Sequence, residues 1–161
     1  MALVTATGTA VHAPADWRRG VTALLDFLPA LYPDGDAWLA KRLDAIERGD
    51  AWCALLEEHG EIAGVSIGVL KVGRRFKICT LYVRPESRGR GGGSALLDTM
   101  MQTAKECGAA SSYITAAHTV GEEIRRTVEP KGFLPLVTQL NRYGLGRHET
   151  VFATNADGRS I

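Results

Sequence analysis

The chain has 161 residues, of which 45% are hydrophobic and 23% charged, with a formal net charge of +1. These values suit one globular domain, residues 1–161, large enough to bury a core without staples, and they exclude a disordered chain. Cys53, Cys79 and Cys107 form no CxxC pair, which argues against a disulfide framework or a structural zinc site, and no apolar run has the length of a membrane helix. The opening residues lack a basic segment followed by an apolar run, so no signal peptide is expected and the expected compartment is cytoplasmic.

In chain order, Leu3 to Val11 is rich in Thr, Ala and Val and suits an opening strand. Pro14 and Asp16 mark a helix start. Trp17, Val21, Leu24, Leu25, Leu28 and Leu31 then follow at helical spacing. Tyr32-Pro33-Asp34-Gly35 breaks that helix, and Asp36 opens a second through Glu47, with Trp38, Leu39, Leu43 and Ile46 on one side. Residues 51–58 and 62–71 read as a hairpin about the His59-Gly60-Glu61 turn. Phe76 to Val83 continues the meander and Pro85 ends it. Ser94 to Cys107 is a helix with an apolar stripe of Leu96, Leu97, Met100, Met101 and Ala104. A short strand over Ser111–Ala116 and a helix from Thr119 to Lys131, stopped by Gly132, follow. Phe133–Leu140 and Glu149–Thr154 form a last hairpin. The order β-α-α-β-β-β-α-β-α-β-β predicts an α/β (α+β) fold: a mixed, mostly antiparallel central sheet of about six to seven strands flanked by about four helices.

The near-neutral total hides an asymmetry. Residues 1–70 hold five basic and ten acidic side chains, and residues 71–161 hold fourteen and eight. The densest basic stretch contains Lys71, Arg74, Arg75, Lys77, Arg84, Arg88 and Arg90 against Glu86. Such a split steers anionic ligands.

The most informative segment is Leu81 to Leu97, LYVRPESRGRGGGSALL. A strand runs into Arg88-Gly89-Arg90-Gly91-Gly92-Gly93, and Ser94 opens a helix. Glycines let successive backbone N–H groups converge without Cβ obstruction, and a helix N-terminus adds its dipole. The guest such a cradle suits is a diphosphate. A Walker loop would end in Gly-Lys-Ser/Thr, and a dinucleotide fingerprint would place Gly where Ser94 stands; neither fits.

This spacing resembles the GNAT superfamily of N-acetyltransferases, whose pyrophosphate loop reads Gln/Arg-x-x-Gly-x-Gly/Ala. Here Arg88, Gly91 and Gly93 occupy those positions, after a strand ending Leu-Tyr-Val-x-Pro, and Lys131-Gly132-Phe133 matches a later motif. The resemblance spans about Ile62 to Phe133. It implies acetyl-CoA or another acyl-CoA as co-substrate, with no metal. It implies diphosphate binding by Arg88, Gly89, Arg90, Gly91, Gly92, Gly93 and Ser94. It also implies main-chain contacts from Leu81 and Val83, with the Val83 N–H polarising the thioester carbonyl.

Three residues found in many members are missing. The general-base Glu falls at Lys77, the general-acid Tyr at Val128, and an Asn near Gly121 or Glu122. A general base contributes about 10²–10⁴-fold in rate, so its loss leaves room for catalysis by proximity and backbone stabilisation. His118, Tyr113, Tyr82 and Cys79 are the nearest substitutes. Strand alternation puts Lys77, Cys79 and Leu81 on one face, so a cation would meet the acceptor, with Arg74 and Arg75 as further acceptor or phosphate contacts. The expected function is N-acyl transfer to an amine by direct attack in a ternary complex. Two alternatives stand beside it: a tRNA-dependent acyltransferase, suggested by Lys77 and Arg125-Arg126, and a non-catalytic acyl-CoA-binding regulator. A homodimer through the last strands is implied at family level only.

Overall fold

The computed structural model describes residues 3–5 and 16–155. Its strands are β1 (Leu3–Thr5), β2 (Trp52–Glu58), β3 (Glu61–Lys71), β4 (Arg75–Val83), β5 (Ser111–Ala117), β6 (Leu134–Gln139) and β7 (Glu149–Asn155). Its helices are α1 (Trp17–Leu24), α2 (Leu28–Leu31), α3 (Gly35–Arg48), α4 (Gly92–Glu106) and α5 (Gly121–Val128). The strands form one mixed sheet in the order β1-β2-β3-β4-β5-β7-β6. The predicted fold class and element order hold. The predicted first strand beyond Thr5, and the predicted start of the first helix at Pro14, lie outside the described residues.

The chain forms two compact units. One comprises Met1–Gly68 with Thr80–Met100, the other Val69–Cys79 with Met101–Ile161. In the first, β1 runs parallel to β2 and β2 antiparallel to β3, turning on His59 and Gly60, both at positive φ. The core draws on Val21, Leu25, Leu43 and Ile46 from the helical segments and on Val65 and Ile67 from β3. Helix α1 is held to α3 at its exposed side, where Arg18 reaches Asp44 and Glu47.

Two predicted helices are interrupted, and proline is the physical reason in both. The apolar spacing from Trp17 to Leu31 is continuous, but Pro29 has no N–H to continue the ladder, so the segment divides into α1 and the single turn α2. The segment from Thr119 to Lys131 becomes α5 between two 3₁₀ turns, His118–Val120 and Glu129–Lys131, the second carrying Pro130. Gly132 then adopts φ +84° and closes it as expected.

In the second unit β4 pairs parallel with β5 over Arg75–Ile78, and β7 lies antiparallel between β5 and β6. Phe76, Ile78, Ile114 and Phe152 are buried on one face of these strands, with Phe133 and Val128 also in the core.

Gly64 on β3 shows how tightly the first unit packs. A Cβ there would lie 3.1 Å from the Tyr82 carbonyl oxygen and 3.2 Å from a Val83 methyl. Gly64→Val is therefore expected to destabilise the fold by roughly 1–3 kcal/mol through overpacking, read as a lower urea midpoint at unchanged slope.

Candidate active site

The glycine loop lies at the end of β4 in the first unit. The chain leaves Val83, passes a 3₁₀ turn at Pro85–Ser87, and enters α4 at Gly92. Gly89 and Gly91 take φ of +77° and +81°, a backbone that L side chains rarely adopt. The turn spends the amides of Ser87 and Arg88 on Arg84 and Pro85, and the helix ladder begins with Ala95 N–H donating to Gly91 O. Between them the amides of Gly89, Arg90, Gly91, Gly92, Gly93 and Ser94 make no hydrogen bond to any described residue. A run of unpartnered N–H groups at a helix N-terminus is an anion site, and its donors fit a diphosphate.

A polar cluster braces the approach to this loop. Ser87, buried, donates from its hydroxyl to Glu58 Oε2 at 2.6 Å and accepts from Arg84 Nε at 2.9 Å. Arg84 also pairs with Glu61 at 3.1 Å. Arg90 reaches Glu58 at 3.3 Å and donates to the Glu86 carbonyl at 3.0 Å. The Ser87 hydrogen bond, helped by Arg90 and Arg84, holds the Glu58 carboxyl below its ordinary range. Ionised Glu58 thus supports the loop at neutral pH, and that support fades as pH falls through the lowered value.

The loop arginines are less free than charge counting suggests. Arg88 donates from Nε to the Val83 carbonyl at 2.9 Å and lies over the Tyr82 ring at 5.6 Å. Tyr82 in turn packs on Phe27, ring centroids 4.7 Å apart. Leu81 is half-buried and Val83 buried on the same strand.

In the second unit, Arg75, Lys77 and Tyr113 line one cavity, of about 430 Å³, on the face of the strands opposite Phe76 and Ile78. Arg75 stands over the Tyr113 ring at 6.0 Å. Lys77 is half-buried rather than fully extended into water. Arg74 does not join them: it sits in the β3–β4 turn at φ +56° and donates from Nε to the Gly108 carbonyl at 2.6 Å. His118 is exposed outside the cavity, its N–H bonded to the His148 carbonyl at 2.9 Å. Cys79 is half-buried and also outside it. Cys53 is fully buried, and desolvation pushes its thiol up to about 12, so it is inert.

The cavity also contains a residue that the sequence reading missed. Glu149, at the start of β7, is only 6% exposed and lines the cavity with Lys77 and Arg142. Desolvation raises its carboxyl above the ordinary range, and the through-space pull of Lys77 and Arg142 only partly offsets this.

The model of the Acetyltransferase (GNAT) family matches residues 17–124, which include β2–β5 and the glycine loop. The chain belongs to this family. It is an acyl-CoA-dependent N-acetyltransferase. No curated protein matches the chain. Among solved structures, an N-acetyltransferase from Staphylococcus aureus Mu50 is similar at TM-score 0.75 and 15% identity, covering 89% of this chain and 95% of that one. The ribosomal-protein-S18-alanine N-acetyltransferase from Escherichia coli gives 0.72 and 16%, covering 92% and 91%. An aminoglycoside 6'-N-acetyltransferase complexed with coenzyme A gives 0.70 and 14%, covering 89% and 92%. These likenesses concern the fold.

Val128, where the resemblance leads one to expect a Tyr, is fully buried. Lys77, where it leads one to expect a Glu, shares its cavity with a carboxylate from another strand.

The raised Glu149 carboxyl makes a stability prediction. Below the ordinary carboxylate range, about pH 4, the group is protonated whether folded or unfolded and imposes no penalty. As pH rises through the unfolded and then the folded value, ionisation favours the unfolded chain. Glu149→Gln should raise the thermal midpoint by a few degrees at neutral pH, with the gain shrinking toward zero as the pH is lowered to that range. A gain independent of pH would show that the effect is not electrostatic.

Proposed function

We propose that this acetyltransferase binds acyl-CoA, most simply acetyl-CoA, through the amides of Gly89 to Ser94. It transfers the acyl group to an amine by direct attack in a ternary complex. The observation that carries the reading is the run of six amides at the end of β4 that make no hydrogen bond to any described residue, held at the N-terminus of α4. Hydrogen bonds to a charged group contribute about 1.5–3 kcal/mol each, so a few such donors account for micromolar affinity. When bound, acyl-CoA supplies the activated thioester. Leu81 and Val83 offer main-chain contacts on the strand that enters the loop, with the Val83 N–H as oxyanion donor. Arg88 and Arg90 act chiefly as braces, through Val83 O and through Glu58 and Glu86 O.

We assign Lys77, Arg75 and Tyr113 to the acceptor side, because they share one cavity. His118 and Cys79 stand outside that cavity and rank below Tyr113 as proton carriers. The two compact units would work as one catalytic domain. A tRNA-borne donor or acceptor ranks second: Arg125, one of the cations that suggested it, is engaged with Glu129 at 2.5 Å. A homodimer through the last strands draws support from the edge position of β6 and from its exposed Leu134 and Leu136. Light scattering on the purified chain should then give twice the chain mass, reduced to the single chain by Leu136→Lys.

Calorimetric titration with acetyl-CoA and free CoA tests the cradle. Micromolar binding is expected for the native chain, weakened by at least about tenfold in Gly91→Val, whose positive φ a β-branched residue does not tolerate. The variant's circular dichroism should be unchanged. Equal binding by native chain and variant would overturn the assignment of the loop.

A further inference from the structure

The cavity of the second unit has a charge arrangement that the acetyltransferase assignment does not explain. Its carboxylate belongs to Glu149, a residue only 6% exposed; it makes no hydrogen bond or ion pair with any described residue, and its oxygens remain open to solvent through the cavity. The burial comes from strand pairing on both sides, to Ala117 of β5 and to Gln139 of β6. A carboxylate on a cavity wall without a protein donor is free to accept hydrogen bonds from a molecule that enters the cavity. Three cations line the same cavity: Arg75, Lys77 and Arg142. None is in contact with Glu149, although Lys77 and Arg142 act on it through space. Arg75 is oriented by the Tyr113 ring. One carboxylate against three cations leaves a positive surplus beside an unsatisfied acceptor. A simple anion would satisfy the cations but not Glu149. A simple amine would satisfy Glu149 but meet the cations' repulsion.

A molecule carrying both groups satisfies both, because charge-assisted hydrogen bonds form at each end. We propose that this cavity binds a small amine that also bears an anionic group, its ammonium on Glu149 and its carboxylate or phosphate toward Arg75, Lys77 and Arg142. The apolar Val137 and Val151 in the walls suit a short hydrocarbon spacer between the two charges. The identification of this molecule as the acyl acceptor rests on the function proposed above; the binding site itself does not.

The test uses the full chain, labelled with ¹⁵N, titrated with matched pairs of amines: lysine against cadaverine, and O-phosphoethanolamine against ethanolamine. Acetate and inorganic phosphate serve as anion controls. Support would be binding of the zwitterion at least about tenfold tighter than its partner without the anion, with shifted amides around Glu149 and Lys77. The pair that shows the larger gap tells carboxylate from phosphate. Glu149→Gln should weaken the zwitterion by about tenfold, and Arg142→Gln, in the exposed connection to β7, should narrow the gap within each pair. Equal binding within both pairs would overturn the proposal. So would anion controls that bind as tightly as the zwitterions, or a Glu149→Gln variant with unchanged affinity. A parallel CoA titration of the same samples separates the two readings. Zwitterion binding without CoA binding would support the cavity and overturn the cradle; CoA binding without zwitterion preference would do the reverse.

Discussion

The structure depends first on keeping backbone donors unpaired. Buried or half-buried amides ordinarily find a partner, and a flexible glycine loop would find one by collapsing onto itself. Here the loop is prevented from doing so at both ends. Upstream, the 3₁₀ turn consumes the amides of Ser87 and Arg88, and Ser87 is locked between Arg84 and Glu58. Downstream, α4 is anchored by Leu96, Leu97 and Met100, all fully buried. The positive φ of Gly89 and Gly91 then sets the path between two fixed points. Arg88 and Arg90, which the sequence reading gives to the ligand, also contact the loop's own surroundings, through the Val83 carbonyl and through Glu58 and the Glu86 carbonyl.

The second unit places its polar groups differently. Its cavity lies on a sheet face, and its charge is set by which strands neighbour each other. Lys77 comes from β4, Arg142 from the connection before β7, and Glu149 from β7 itself. Desolvation prevails over two nearby cations at Glu149 because neither approaches within ion-pair range. Moving either cation into contact would restore an ordinary carboxyl and remove the vacancy for a donor. A carboxylate thus enters the cavity that Lys77 lines from a strand outside the matched residues 17–124.

What was legible in the sequence was local. The stripe through Leu96, Leu97, Met100 and Ala104, the His59-Gly60 turn and the stop at Gly132 each follow from spacing or backbone preference, and each is present. The path of the glycine loop was equally legible, since it turns on glycines, two of them at positive φ. The division of the first helix was harder to see because an apolar stripe continues across the break and hides the effect of Pro29. Partners far apart in sequence were not legible at all. Arg90 meets Glu58 from 32 residues away, and Glu149 is buried by pairing with strands that begin at Ser111 and Leu134. A Glu opening a strand reads as a solvated end until both neighbours are known.

These two kinds of site carry different constraints on change. A backbone cradle tolerates side-chain variation wherever φ is negative and the amide remains free, provided the brace of Arg84 and Arg90 with Glu58 and Ser87 persists. The proposed acceptor cavity has less latitude, because its recognition would reside in charged side chains from two strands and a connection. Removing the cations would leave the desolvation of Glu149 without an offset; removing Glu149 would leave a purely cationic wall. The proposed donor site is therefore defined by backbone and the proposed acceptor cavity by side-chain charge. That separation lets one family retain a common co-substrate while the chemistry of the acceptor changes.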